Sequence, residues 1–181
     1  PGALGLNEFY GEVRMGDYRI IVLDSGEDKV DSHPEYGSLS DYGAYRVAMV
    51  EWLESLENDG SKTIVLSHSP SICLDSEEEL RDRAYAAIER IGGSLVISGH
   101  LHELYFNNGS EIVNEVYRFT GDDYEDDATY NAYGVPVYVD GGFIHKAGDF
   151  VASTVTLNAN GIALKAVNLE GDILLETSLT W

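Results

Sequence analysis

Thr63-Ile64-Val65-Leu66-Ser67-His68-Ser69-Pro70 and Ser94-Leu95-Val96-Ile97-Ser98-Gly99-His100-Leu101-His102 decide the reading of this chain. Each is a short apolar run that ends in histidine, the pattern of a buried strand in a parallel sheet. Neutral imidazole is a common metal ligand. Open α/β sheets hold their ligands at the carboxyl ends of strands. Three of the chain's five histidines fall in these two places, so the pair of runs points to a metal site.

The flanks extend the pattern. Upstream, Phe9–Arg14 and Tyr18–Asp24 read as strands around Met15-Gly16-Asp17. A polar loop, Ser25–Ser40, precedes a helix over 41–56 that carries Ala44, Val47, Ala48, Val50, Trp52, Leu53 and Leu56 mainly on one face. Ser40 or Asp41 is positioned to cap it, and Asn58-Asp59-Gly60 to stop it. A second helix spans 76–91, opening on the capping-box-like Ser76-Glu77-Glu78-Glu79 and ending at Gly92-Gly93.

Strand and helix in alternation predict an α/β domain with parallel strands joined by right-handed crossovers. Asp24, His68 and His100 then fall on one sheet edge. Farther on, Glu111–Phe119 reads as a strand, Gly121–Thr129 as an acidic loop and Pro136–Asp140 as a short strand. From Val151 the chain alternates as an antiparallel meander, with turns at Asn160-Gly161 and Gly171-Asp172. The 181 residues suit a single domain.

Hydrophobic content is 44% and net charge is −21. Such a chain repels polyanions, which excludes a nucleic-acid binder of the usual cationic kind. No segment has the length and apolarity of a membrane span. Cys73 stands between Ile72 and Leu74 without a nearby basic residue, as an inert thiol does. The twelve tyrosines are scattered through strands and loops, a distribution that suits packing better than one stacking platform.

Past the second strand, an extended backbone would project His100 and His102 to the same side, about 6–7 Å apart at the main chain. That separation suits ligands on two neighbouring metals ~3.5–4 Å apart. Gly99 supplies freedom for the chain to leave the strand. His68, one crossover away, completes a triangular approach.

On these residues the sequence resembles the calcineurin-like metallophosphoesterases, the family that includes the purple acid phosphatases. Ser67-His68-Ser69-Pro70 and Gly99-His100-Leu101-His102 are similar to its last two metal motifs; Tyr18–Asp24, the helix with Glu51-Trp52-Leu53, and Tyr138–Phe143 are similar to the stretches around them. The resemblance covers about residues 9–145. It implies paired mixed sheets flanked by helices, with His68 and His100 on one divalent metal and His102 on another, the metals being Fe, Mn or Zn. It also implies hydrolysis of phosphate mono- or diesters, on a phosphorylated small molecule or protein, by a metal-activated water.

The family's earlier motifs, Asp-x-His, Gly-Asp-x-x-Asp and Gly-Asn-His-Asp/Glu, belong before residue 9 and are absent from this chain. It therefore reads as the carboxyl-terminal portion of such an enzyme, with an incomplete site and negligible activity by itself. A non-catalytic remnant or binding module is the alternative. Asp31-Ser32-His33 matches the first motif by letters but lies in the polar loop, and Gly121–Glu125 only approximates the second. Asp24, Asp140 and His33 are candidates for the rim of the site, with turn formation the commoner use of aspartate there. The loop Glu27–Tyr42 is a candidate substrate-side wall. His33 and His145 read as surface or structural residues, and Asp122–Asp127 as a solvated loop lacking an EF-hand's spaced ligands. Loss of a half-sheet and helical layer would expose apolar surface, so a homo-oligomer is expected.

Overall fold

The computed structural model describes residues 8–26, 29–37, 39–74, 76–114, 133–144 and 149–181. Strands β1 (Gly11–Met15) and β2 (Tyr18–Leu23) form an antiparallel hairpin. After a 3-10 turn at Pro34–Tyr36 come α1 (Tyr42–Ser55), β3 (Lys62–Ser67), α2 (Glu78–Arg90) and β4 (Gly93–Ser98). β2, β3 and β4 are parallel neighbours, with Ile20 opposite Ile64 and Val65 opposite Val96. The α/β fold class read from the sequence is the one observed.

β5 (Tyr105–Asn107), β6 (Ile112–Asn114) and β7 (Val137–Val139) complete a seven-stranded sheet ordered β1-β2-β3-β4-β7-β5-β6. β7 runs parallel to β4 and antiparallel to β5. The strand at Tyr105 was not read from the sequence. Of the strand expected over 111–119, Ile112–Asn114 is strand and Glu111 a bend before it; residues 115–119, the acidic loop of 121–129 and His145 lie outside the described residues. Two short strands, β8 (Phe143–Ile144) and β9 (Asp149–Phe150), pair with each other. β10 (Ala152–Asn158), β11 (Gly161–Val167) and β12 (Ile173–Thr180) form the antiparallel meander the alternation predicts.

Neighbouring residues on a strand face opposite sides of a sheet, and here each side has its own core. Ile21, Val65, Val96, Val137 and Val139 pack with Met49, Val50, Leu53, Ala84 and Ile88 of the two helices. Ile64, Leu95, Phe106 and Tyr138 pack with Ile162, Leu164 and Ala166 of the smaller sheet. The large sheet is thus covered on both faces, which is why β3 and β4 read as continuous apolar runs.

Helix details depart from expectation. The buried positions of α1 are Arg46, Met49, Val50 and Leu53, the i, i+3, i+4, i+7 set, while Val47 is 40% exposed. Arg46 takes a core position because its Nε lies 2.8 Å from Glu77 Oε2 and its Nη1 donates to Ser25 O at 3.2 Å. Asp41 occupies the N-cap position without a side-chain cap bond. Asp31 caps the helix instead, accepting from Tyr42 N at 2.7 Å and Gly43 N at 2.9 Å. Likewise Glu77, not Ser76, precedes α2, and its carboxylate is turned to Arg46 and to Leu74 N rather than closing a capping box. The Gly92-Gly93 stop holds: Gly92 has φ +79, and a Cβ on Gly93 would lie 2.3 Å from Ile88 Cγ2.

Candidate metal centre

Parallel register brings distant residues to one rim. Leu23 pairs with Ser67, so Asp24 and His68 follow side by side. Gly99 N donates to His68 O at 3.0 Å, and Asp140 N to Ser98 O at 2.8 Å. The order along the edge is therefore Asp24, His68, the Gly99–His102 segment, then Asp140.

His68 and His100 meet. His100 Nδ1 lies 3.2 Å from His68 Nε2, with ring centroids 5.0 Å apart and planes at 78°. One ring donates an N–H to the other, or both turn lone pairs toward a shared cation. Two nitrogens on one tetrahedral metal at bond lengths of about 2.0–2.1 Å stand about 3.3 Å apart. The observed spacing fits the second arrangement as well as the first.

The segment after β4 is not extended. His100 has φ +67 and His102 φ +54, and Leu101 N folds back to Gly99 O at 2.8 Å. Left-handed backbone disfavours residues with a Cβ, and such conformations persist where surrounding structure holds them. The expected freedom of Gly99 is not what turns the chain, since Gly99 lacks a positive φ and the two histidines carry it instead. His102 Nδ1 lies 2.9 Å from Phe143 O. A carbonyl can only accept, so Nδ1 carries the proton and the lone pair sits on Nε2, the orientation common in metal-ligating histidines.

The loop that presents His68 is tied at several points. Ser67 Oγ donates to Ser69 O at 2.8 Å, Ser71 Oγ to Cys73 O at 2.5 Å, and Tyr85 OH to Pro70 O at 2.6 Å. Ile72, fully buried, is held at φ +64, a conformation rare for a β-branched residue.

The remaining candidates have other partners. Asp24 Oδ1 accepts from Gly26 N at 2.9 Å, an Asx-type turn. Asp140 Oδ1 accepts from Ser153 Oγ at 3.0 Å, and Ser153 also bonds Tyr138 OH. Burial pushes the Asp140 carboxyl up from its ordinary pKa, against the pull of Ser153 and the Gly141 and Gly142 amides. His33 caps the 3-10 turn, its Nδ1 accepting from Glu35 N at 3.3 Å. Asp31 and His33 thus both serve as caps. Among the described residues, no three or more His, Cys, Asp or Glu side chains are grouped to hold a metal ion. The structure brings together the pair His68–His100, with His102, Asp24 and Asp140 along the same rim.

Sequence reasoning missed Ser153, which lies in the meander, and the Phe143 carbonyl, which no residue type announces. It also missed a cleft of about 630 Å³ lined by Asp24, Gly26, Tyr36, Asp41, Tyr42 and Tyr45, among others. Three of the twelve tyrosines, Tyr36, Tyr42 and Tyr45, converge there.

No protein-family model matches the chain, and no curated protein matches it in sequence. Among solved structures, it is similar to the purple acid phosphatase PPD1 from yellow lupin (Lupinus luteus) seeds, with TM-score 0.51 and 12% identity over 95% of this chain and 32% of that one. It also aligns with GAP50, the anchor in the inner membrane complex of Plasmodium, with TM-score 0.43 and 12% identity over 95% of this chain and 53% of that one. The chain thus spans about a third of the phosphatase and about half of GAP50. At such identity the likeness to the phosphatase is one of fold: a mixed α/β arrangement of a largely parallel sheet and an antiparallel one, consistent with a phosphoesterase-like architecture.

Proposed function

We propose that this chain is the carboxyl-terminal part of a metal-dependent phosphoesterase, contributing His68 and His100 to one divalent cation and His102 to a second. The observation that carries the reading is the 3.2 Å approach of His100 Nδ1 to His68 Nε2 at adjoining strand ends. The Nδ1–H bond of His102 to Phe143 O supports it, because that bond leaves Nε2 as the ligating nitrogen. The fold shared with a purple acid phosphatase supports it further. Bound cations in such a site polarise the phosphoryl oxygens and lower the pKa of an attacking water.

On this reading the chain's own residues orient and hold. The ties around Ser69–Cys73 fix His68, the left-handed turns fix His100 and His102, and Asp24 and Asp140 border the rim. A pair of imidazoles is an incomplete ligand set, so the isolated chain binds zinc weakly and hydrolyses phosphate esters negligibly. Isothermal titration with Zn²⁺ tests the assignment: His68→Ala and His100→Ala each lower affinity by about tenfold or more, while His33→Ala leaves it unchanged. Equal affinity in all three variants sinks the metal assignment. Robust p-nitrophenyl phosphate hydrolysis by the 181-residue chain, abolished in His100→Ala, sinks the incomplete-site reading.

A second reading, a binding module that keeps the fold without a working site, is favoured by one observation. The described residues hold no carboxylate grouped with the histidine pair.

A further inference from the structure

We propose that the tyrosine-lined cleft at the carboxyl end of β2 binds a methylated ammonium group, as in choline. The walls are aromatic and the charge is negative. Tyr36 and Tyr42 stand edge to face, with ring centroids 5.6 Å apart and planes at 69°, and both line the space. Tyr45 adds a third ring, and Asp24 and Asp41 add carboxylates; no lysine or arginine is among the described residues that line the space.

The ring pair is built rather than accidental. Gly26, at φ +75, lies so close to Tyr42 that a Cβ there would be 2.4 Å from the ring, so only glycine lets the ring take this place. Tyr42 is further fixed through its backbone, which Asp31 caps at 2.7 Å. The negative field is felt inside: the Tyr45 hydroxyl is pushed up to about 12, first by burial and next by the Asp24 carboxylate.

Aromatic rings lining a cleft, backed by carboxylates, attract a cation whose charge is spread over methyl groups. A phosphate or carboxylate ligand is repelled there, and a neutral apolar ligand gains nothing from the acids. The chain's net charge of −21 adds long-range attraction for cations. The volume of about 630 Å³ accommodates a small organic ligand.

Asp24 lines this cleft and stands beside His68 on the sheet edge. If the cleft serves catalysis, its occupant is the alcohol portion of an amino-alcohol phosphoester, and that clause alone rests on the phosphoesterase reading. Ammonium binding does not require metal. The two are separated by titrating the full chain in EDTA.

The test measures choline and tetramethylammonium against 3,3-dimethylbutan-1-ol, the uncharged isostere of choline, by NMR line shifts or calorimetry. The cations bind saturably, about tenfold tighter than the isostere. Tyr36→Leu and Tyr42→Leu each weaken choline binding by about threefold or more, and Tyr18→Leu, at the opposite end of β2, does not. Thermal melts establish that each variant is folded. Isostere binding as tight as choline, no saturation by either cation with the unsubstituted chain, or undiminished binding in both folded cleft variants overturns the proposal.

Discussion

The parallel run β2-β3-β4-β7 and the antiparallel sheet β10-β11-β12 share one buried interface, yet only the first carries candidate chemistry at its ends. In the parallel run every carboxyl end reaches the same rim, so residues 24, 68, 100 and 140 become neighbours. In the meander, polar side chains at strand ends serve their own turns. Asn158 Oδ1 accepts from Asn160 N at 2.9 Å, and Asn168 Oδ1 from Asp172 N at 2.8 Å. The lesson is topological: crossovers gather remote residues, whereas tight hairpins use their polar groups locally.

The comparison breaks most visibly at the shared interface. Ile64 is 1% exposed and packs between the sheets, so Ile64→Ala should cost about 2–5 kcal/mol in a single urea transition. Two separate transitions would show that the meander is an independent unit.

A smaller effect sharpens the claim that the rim holds strained histidines. At φ +67, His100→Gly removes the left-handed penalty that His100→Ala retains. Glycine is therefore the more stable of the two variants by about 1 kcal/mol, after its own chain-entropy cost. Equal midpoints in chemical denaturation would show the backbone there to be relaxed.

The smallest effect concerns pH, where two carboxyls act in opposite directions. Asp31 is held below its ordinary pKa by the Gly43 and Tyr42 amides. Its contribution is present above the unfolded pKa and fades as pH falls through the folded one, so Asp31→Ala flattens the acid limb of a melting-temperature profile. Asp140 has its pKa raised by burial. Its contribution is present below the unfolded pKa and is lost as pH rises through the folded one, so Asp140→Asn melts higher at neutral pH than the parent chain. A lower neutral-pH midpoint for Asp140→Asn would mean that Ser153 and the glycine amides outweigh burial.

What could be read in advance follows the range of the interaction. β3 and β4 were legible because alternate residues such as Ile64 and Val65 feed two cores, leaving a continuous apolar run. The rim followed from parallel connectivity. The cap of α1 was not legible: Asp31 reaches it only after the polar loop folds back, while the adjacent Asp41 looks equally suitable. Arg46 in a core position depends on Glu77, which precedes the second helix. The left-handed turns at His100 and His102 carry no residue signal, since glycine is the usual sign of positive φ. The tyrosine cleft needs Gly26 and the 3-10 turn to bring Tyr36 against Tyr42.

Ile72 has a consequence for its neighbour. The loop that pins His68 encloses Cys73, the chain's single cysteine, at 3% exposure, and burial pushes its thiol up to about 12, with Glu77 adding to the rise. Such a sulfur is protonated and shielded at neutral pH, so alkylating reagents reach it only when that segment opens. The protein therefore carries an intrinsic gauge of how firmly its first imidazole is mounted, readable without adding any label to the rim itself.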